Sequence, residues 1–246
     1  MPLTPLHDWN LTPREAIALQ RRLAGRVERA DRLAPVRHIA GVDIGFEQRG
    51  EITRAAVVVL AWPPGKLGEF EPEALEGTLE TVEQVVHREP SRMPYIPGLL
   101  SFREVPATLA AFDKLTVWPE LVMVDGQGIA HPRRLGVASH LGLWLDLPTI
   151  GVAKSRLCGR HGEPGPARGD WEPLIDGPDD EVIGAVLRSR VGVKPLFVSP
   201  GHRVSLPSAL DWVAACLRRT KLPEPTRLAD RLASGSDPEA SPRIIQ

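Results

Sequence analysis

Three acids, Asp43, Glu104 and Asp125, fall where a carboxylate has little apolar reason to be. Asp43 interrupts the strand-like run His38-Ile39-Ala40-Gly41-Val42. Asp125 ends Glu120-Leu121-Val122-Met123-Val124 and precedes Gly126-Gln127-Gly128. Glu104 stands beside Arg103 in the expected first turn of an apolar-periodic helix. Carboxylates are hard oxygen ligands. A set of them suits Mg²⁺ or Mn²⁺, which keeps several waters and completes its shell from substrate phosphate. Each acid alone also reads as a turn residue ending a strand; three on successive core elements point to a site. Lys154 closes the apolar run Ile150-Gly151-Val152-Ala153, where it could neutralise a phosphate or orient attacking water, or simply snorkel from the strand end.

Met93-Pro94-Tyr95-Ile96-Pro97-Gly98 lies just upstream of Glu104. Proline fixes φ and restricts the residue before it, so the segment is expected to be a stiff, extended protrusion tipped by Tyr95. A rigid apolar tip suits insertion between stacked bases. Joined to an acidic helix start, it suggests a nuclease that opens its substrate. His131, His140 and His202 lack metal-pair spacing; they read either as phosphate contacts or as satisfied surface histidines. Ser101, Thr149 and Ser155 carry no nucleophile-elbow pattern, and Gly126-Gln127-Gly128 is not a dinucleotide fingerprint. Those two glycines fit a tight turn or the close approach of a substrate backbone.

The elements that must position these groups are legible in outline. Thr12-Pro13-Arg14-Glu15 opens a helix expected to run to about Leu33. Strands are expected at Arg37 to Phe46, Arg54 to Trp62 and Thr78 to Arg88, forming an antiparallel meander. A helix from Ser101 to about Leu115, a strand at Glu120 to Asp125, a helix from Gly136 to Leu145 and a strand at Thr149 to Lys154 follow. Residues 159–180, rich in Gly, Pro and charge, read as a surface insertion. Strands at Val182 to Arg190 and Pro195 to Val198 precede helices at Ser205 to Leu217 and Thr226 to Ala233. This order implies one α/β domain over residues 1–233, a mixed sheet with helices on its faces, and a disordered tail over 234–246. If the first and fourth strands are neighbours, Asp43 and Asp125 face one another.

The 246 residues suffice for one large domain, and 25% charged with 42% hydrophobic residues is the composition of a globular protein. A formal net charge of -1 is neutral on nucleic-acid binding, because a local basic patch acts within a screening length of about 10 Å. Cys158 and Cys216 have no CxxC or metal-ligand spacing and read as packing residues in a reducing compartment. With neither a long apolar run nor an apolar signal core, the chain is expected to be a cytoplasmic monomer with no membrane partner.

The ordered motifs resemble those of bacterial endonuclease V, a deoxyinosine-specific repair nuclease, from about residue 30 to 233. The resemblance rests on Gly41-Val42-Asp43-Ile44-Gly45-Phe46, Pro94-Tyr95-Ile96-Pro97-Gly98 through Phe102-Arg103-Glu104, and Val124-Asp125-Gly126-Gln127-Gly128 with His131-Pro132-Arg133. Ile150-Gly151-Val152-Ala153-Lys154-Ser155, Ser199-Pro200-Gly201-His202 and Pro223-Glu224-Pro225-Thr226-Arg227 complete it. It implies a ribonuclease H-like fold, with Asp43, Glu104 and Asp125 binding catalytic Mg²⁺ (Mn²⁺ as substitute) and Lys154 assisting at the phosphate. It makes Pro94, Tyr95, Ile96 and Pro97 a strand-separating wedge. Gly126 and Gly128 would contact the flipped hypoxanthine, and His131 the phosphate backbone. Asp230 matches a further acidic position near the site that is histidine in some members; His202 and Arg103 are additional candidates. The implied reaction is metal-assisted hydrolysis of the second phosphodiester bond 3′ to a deaminated base, leaving 3′-hydroxyl and 5′-phosphate ends in double- or single-stranded DNA.

Two other readings compete. An endonuclease acting chiefly on inosine in RNA would use the same pocket, since 2′-OH contacts are not legible in sequence. A lesion-binding module without chemistry would be marked by a missing carboxylate, and all three are present.

Overall fold

The computed structural model describes residues 5–63, 67 and 79–235. Strands β1 (His38–Glu47), β2 (Ile52–Ala61) and β3 (Thr81–Pro90) form the expected antiparallel meander. After helix α2 (Leu100–Phe112), strand β4 (Leu121–Val124) pairs parallel to β1, so that Val42 faces Val124. Helix α3 (Val137–Leu145) leads to β5 (Thr149–Ala153), parallel to β4, and then β6 (Trp171–Asp176), β7 (Glu181–Leu187) and β8 (Leu196–His202) return antiparallel. The eight strands lie in the order β3-β2-β1-β4-β5-β8-β7-β6. This is the helix-flanked mixed sheet expected of a ribonuclease H-like chain.

The pleat divides the core. Ala40, Val42, Val122 and Val124 meet Val105 and Phe112 of α2 and Ala138 and Leu141 of α3. Ile39, Leu121, Met123, Ile150 and Val152 point the other way, onto α4 (Leu206–Cys216). Helix α5 (Glu224–Ser234) covers β1 and β2 on that second face through Ala229, Leu232 and Ala233. No helix among the described residues is long and apolar enough to cross a membrane.

Several boundaries differ from the sequence reading. Helix α1 spans Pro13–Ala24, with Thr12 and Glu15 forming a reciprocal capping box, and stops well short of Leu33. The following segment is instead pinned to the end of β8: Glu28 N–H donates to His202 Nδ1 at 3.1 Å and Arg32 N–H to Arg203 O at 3.0 Å. Helix α2 begins at Leu100, which moves Glu104 from the first turn to the second. The 159–180 region is not all loop, because β6 extends the sheet there. Pro173 hid this strand; an edge strand tolerates a residue without an N–H donor. Thr78 and the tail from 236 onward lie outside the described residues, whereas Ser234 and Gly235 close α5.

Candidate active site

Asp43 lies in β1, and Asp125 follows β4 directly, its N–H donating to Val42 O at 2.9 Å. Asp230 reaches them from α5. The three can each offer a carboxylate oxygen so that all three atoms lie within 4.8 Å of one another. Two glycines explain how a helix comes so close to a strand. A β-carbon on Gly41 would stand 1.9 Å from Pro225 O, and one on Gly45 2.6 Å from Ala233 O. Spaced two residues either side of Asp43, they bare the strand face on which α5 lies. The Gly-x-Asp-x-Gly pattern thus marks a strand face open to close docking, without naming the helix or the residue that fills it.

Glu104 occupies a different place. It is buried on α2, outside the set defined by that 4.8 Å limit, yet near enough for the negative charges of Asp43 and Asp125 to act on it. Burial, then repulsion from those two aspartates, pushes its pKa up to about 8. Burial and Asp125 push Asp43 up to about 7. Burial also raises Asp125, outweighing the opposing hydrogen bond from Lys154. Crowded, desolvated oxygen donors of this kind fit a hard divalent cation, which would relieve both the burial and the repulsion. Lys154 Nζ now lies 2.5 Å from both Asp125 Oδ2 and Asp230 Oδ1. Burial lowers the Lys154 pKa, but the two carboxylates overcome it and hold the ammonium charged.

These shifts give a stability signature. Glu104 holds its proton more tightly folded than unfolded, so its contribution is intact at pH 4 and is lost as pH rises through about 8. In chelator, the melting temperature should fall between pH 5 and pH 8, and Glu104→Gln should melt several degrees above wild type at pH 8. Added Mg²⁺ should narrow that gap. A thermal melt in which Glu104→Gln melts at or below wild type at pH 8 in chelator would refute the buried-charge account.

Gly126-Gln127-Gly128 runs beside the acids and is fixed by its own backbone. Gly128 N–H donates to Ser199 Oγ at 2.9 Å, and Gly136 N–H to Gly128 O at 2.9 Å. A β-carbon on Gly128 would stand 2.0 Å from Pro200 O, so the close approach that requires this glycine is to β8. Gly126 takes φ +153, and a β-carbon there would meet Val137. Gln127 Nε2 donates to Ser155 O at 2.8 Å, tying the loop to the turn after Lys154.

The Pro94–Pro97 segment protrudes as expected: Tyr95 is 65% exposed and Pro94 and Pro97 are exposed, while Ile96 packs inward against a cluster containing Met93, Leu99 and Phe102. Arg103 does not face solvent. Its guanidinium lies 4.0 Å over the Phe46 ring and donates to Gly50 O at 2.6 Å, bracing the β1–β2 hairpin.

The histidines depart furthest from expectation. His131 is buried; its Nε2 lies 3.0 Å from Gly98 O, and Nδ1 accepts from Arg133 N–H at 3.1 Å. Burial and Arg133 lower its pKa to about 4, so the ring is neutral, and with both nitrogens engaged inside the protein this geometry opposes a phosphate contact. His202 is likewise buried, holding the segment after α1 through Glu28. His140 is no surface residue: it is fully buried beside Trp9 and Phe102, with Nε2 at 2.7 Å from His7 Nε2 and Nδ1 at 3.0 Å from Ser101 Oγ.

A protein-family profile described as Endonuclease V matches residues 21–231. Endonuclease V of Azotobacter vinelandii is 55% identical over 234 residues, covering 95% of this chain and 99% of the relative. The crystal structure of Endonuclease V from Streptomyces avermitilis superposes with a TM-score of 0.80 at 40% identity, covering 93% of this chain and 94% of the other. That of Ciona intestinalis Endonuclease V, in complex with a 24mer DNA containing an inosine followed by a ribo-adenosine, has a TM-score of 0.73 at 27% identity, covering 91% and 96%. Profile, sequence and fold agree across nearly the whole length, including the strands that carry the acids and the helix that supplies Asp230. The chain belongs to the Endonuclease V family.

Proposed function

We propose that this nuclease is a DNA repair enzyme that recognises deoxyinosine and hydrolyses the second phosphodiester bond 3′ to it, leaving 3′-hydroxyl and 5′-phosphate ends. The observation that carries the proposal is the half-buried carboxylate cluster of Asp43, Asp125 and Asp230 beside a fixed glycine loop, with Tyr95 exposed on the segment that leads into α2. The inosine-containing DNA bound by the Ciona relative supports the choice of base. The bond cleaved and the form of the ends rest on the family resemblance. Asp43, Asp125 and Asp230, with Glu104 behind them, would hold Mg²⁺ or Mn²⁺. Bound there, the cation supplies charge stabilisation to the phosphate and lowers the pKa of water.

Each of the chain's own groups then has a physical task. Lys154 keeps a positive charge at Nζ, 44% exposed at the margin of the cluster and within reach of an arriving phosphate oxygen. Gly128 N–H and C=O are already bonded to Ser199 and Gly136, so contact with an extruded base falls to the Gly126 end of the loop. Tyr95 fills the gap that the base leaves. Opening is cheapest at a mismatched or damaged base, so the protrusion tests deformability and the pocket tests identity. We further propose that the chain through Gly235, which caps α5, acts as one domain, and that the protein works as a monomer in the cytoplasm.

The test is a nicking assay with Mg²⁺ on matched duplexes carrying deoxyinosine, deoxyuridine or no lesion, and on a strand with inosine in RNA. The deoxyinosine duplex should be cut fastest. Equal cutting of the undamaged duplex would reject lesion recognition, and faster cutting of the RNA would make RNA the principal substrate.

A further inference from the structure

Helix α1 is amphipathic, and its buried face carries Ala16, Leu19 and Leu23 together with one polar side chain, Gln20, which is 0% exposed. An apolar residue would satisfy that face as a packing surface. Burying an amide costs free energy unless each polar group finds a partner. Gln20 finds all of them at the root of the Tyr95 protrusion. Nε2 donates to Gly98 O at 2.9 Å and to Leu135 O at 3.3 Å, and Oε1 accepts from Arg133 Nε at 2.5 Å.

The same Gly98 carbonyl accepts from Arg133 Nη2 at 2.7 Å and lies 3.0 Å from His131 Nε2. Arg133 N–H donates to His131 Nδ1, so the proton of the neutral ring sits on Nε2 and points at Gly98 O. Three donors, one from α1 and two from the segment after the glycine loop, therefore converge on one carbonyl. Two of them, Gln20 and Arg133, are also bonded to each other. Gly98 has φ +79, and a β-carbon there would stand 2.8 Å from Arg133 Nη2, so glycine is required for the grip to close. Met93, Leu99 and Ile96 add apolar packing against Ala16, Leu19 and Leu23.

We propose that Gln20 is a positioning residue for strand opening: through the Gly98 carbonyl it holds the Tyr95 protrusion against the resistance of a stacked duplex. Unstacking a base step takes work, and a tip can apply that work only if its root does not yield. A strand that is already single demands little of it. Gln20 thus sets how well the enzyme handles duplex relative to single-stranded substrate, and touches neither the base nor the phosphate. It stands one residue before the stretch that the family profile matches. The inference rests on Tyr95 being the strand-opening tip.

The full-length Gln20→Leu protein should be compared with wild type on a deoxyinosine duplex and on the same strand alone. kcat/KM should fall about tenfold or more on the duplex and stay within about twofold on the single strand. Added to Tyr95→Ala, the substitution should have less than about a twofold further effect, since a disabled tip cannot be disabled again. Equal losses on both substrates, or full additivity with Tyr95→Ala, would overturn the inference and leave Gln20 a packing residue. Tyr95→Ala alone separates the two levels. If it leaves the duplex-to-single-strand ratio unchanged, the strand-opening reading itself fails; if it lowers the ratio and Gln20→Leu does not, only the positioning role fails. Should Gln20→Leu not fold, Gln20→Glu is judged by the same ratio, because it retains the acceptor for Arg133 and loses the donor to Gly98.

Discussion

Replacing Asp43 or Asp125 with asparagine should abolish Mg²⁺-dependent nicking of a deoxyinosine duplex and leave the fold in place. Asparagine preserves the shape of the side chain and removes the charge. Both aspartates sit at the meeting of β1 and β4, and both have pKa values raised by burial. Such groups strain the metal-free fold when ionised, so neutral replacements should melt at or above the wild-type temperature near neutral pH. Activity should move the other way. Removing a ligand from a metal that stabilises transition-state charge forfeits several kcal/mol, and each 1.36 kcal/mol is about tenfold in rate, so the loss should be on the order of 10³-fold or more. Nicking rates read beside a thermal melt check both halves. Undiminished nicking by either variant would remove the carboxylate cluster from the mechanism.

Tyr95→Ala should weaken binding to deoxyinosine duplex roughly ten- to a hundredfold, because stacking of one aromatic ring on a base contributes about 1–3 kcal/mol. Binding to undamaged duplex should fall far less, since an unopened stack offers Tyr95 no gap to fill. Stability should not change: at 65% exposure the ring has little packing to lose. Parallel titrations of the two duplexes decide the matter. Equal losses on both would reduce Tyr95 to a general surface contact.

Much of this architecture could be read from residue order. The β-branched run of β2 and the short apolar runs before Asp125 and Lys154 announce buried strands, whereas the pairing of β1 with β4, only a condition in the sequence, is settled by the fold. What stayed hidden depended on partners distant in the chain. The family resemblance put Asp230 near the site, but the reason it joins Asp43, the docking of α5 on a strand stripped of side chains at Gly41 and Gly45, depends on a helix far along the chain. The histidines misled for a related reason. His131, His140 and His202 are polar in isolation, and only the fold reveals that each is buried with its ring nitrogens matched to Gly98, Ser101 and Glu28. Strand β6 escaped because the Pro173 that argues against a central strand is harmless at an edge. Nothing in the sequence separates Gln20 from the other polar residues of α1; its burial and its bond to Gly98 do.

The grip on Gly98 and the carboxylate cluster are parts of one assembly. Gly98 ends the protrusion, α2 starts two residues later, and Glu104 lies in its second turn. His131 and Arg133, which hold Gly98, follow the glycine loop that begins beside Asp125. Prying a base from the stack and presenting its neighbouring phosphate to the acids are therefore mechanically connected.

The most direct measurement maps the nick made by the wild-type protein in an end-labelled duplex with a single deoxyinosine, with Mg²⁺ present or chelated. One product is expected, ended by a 3′-hydroxyl at the second phosphodiester bond 3′ to the lesion and formed only with the metal. Cleavage without metal, or at bonds unrelated to the lesion, would contradict it.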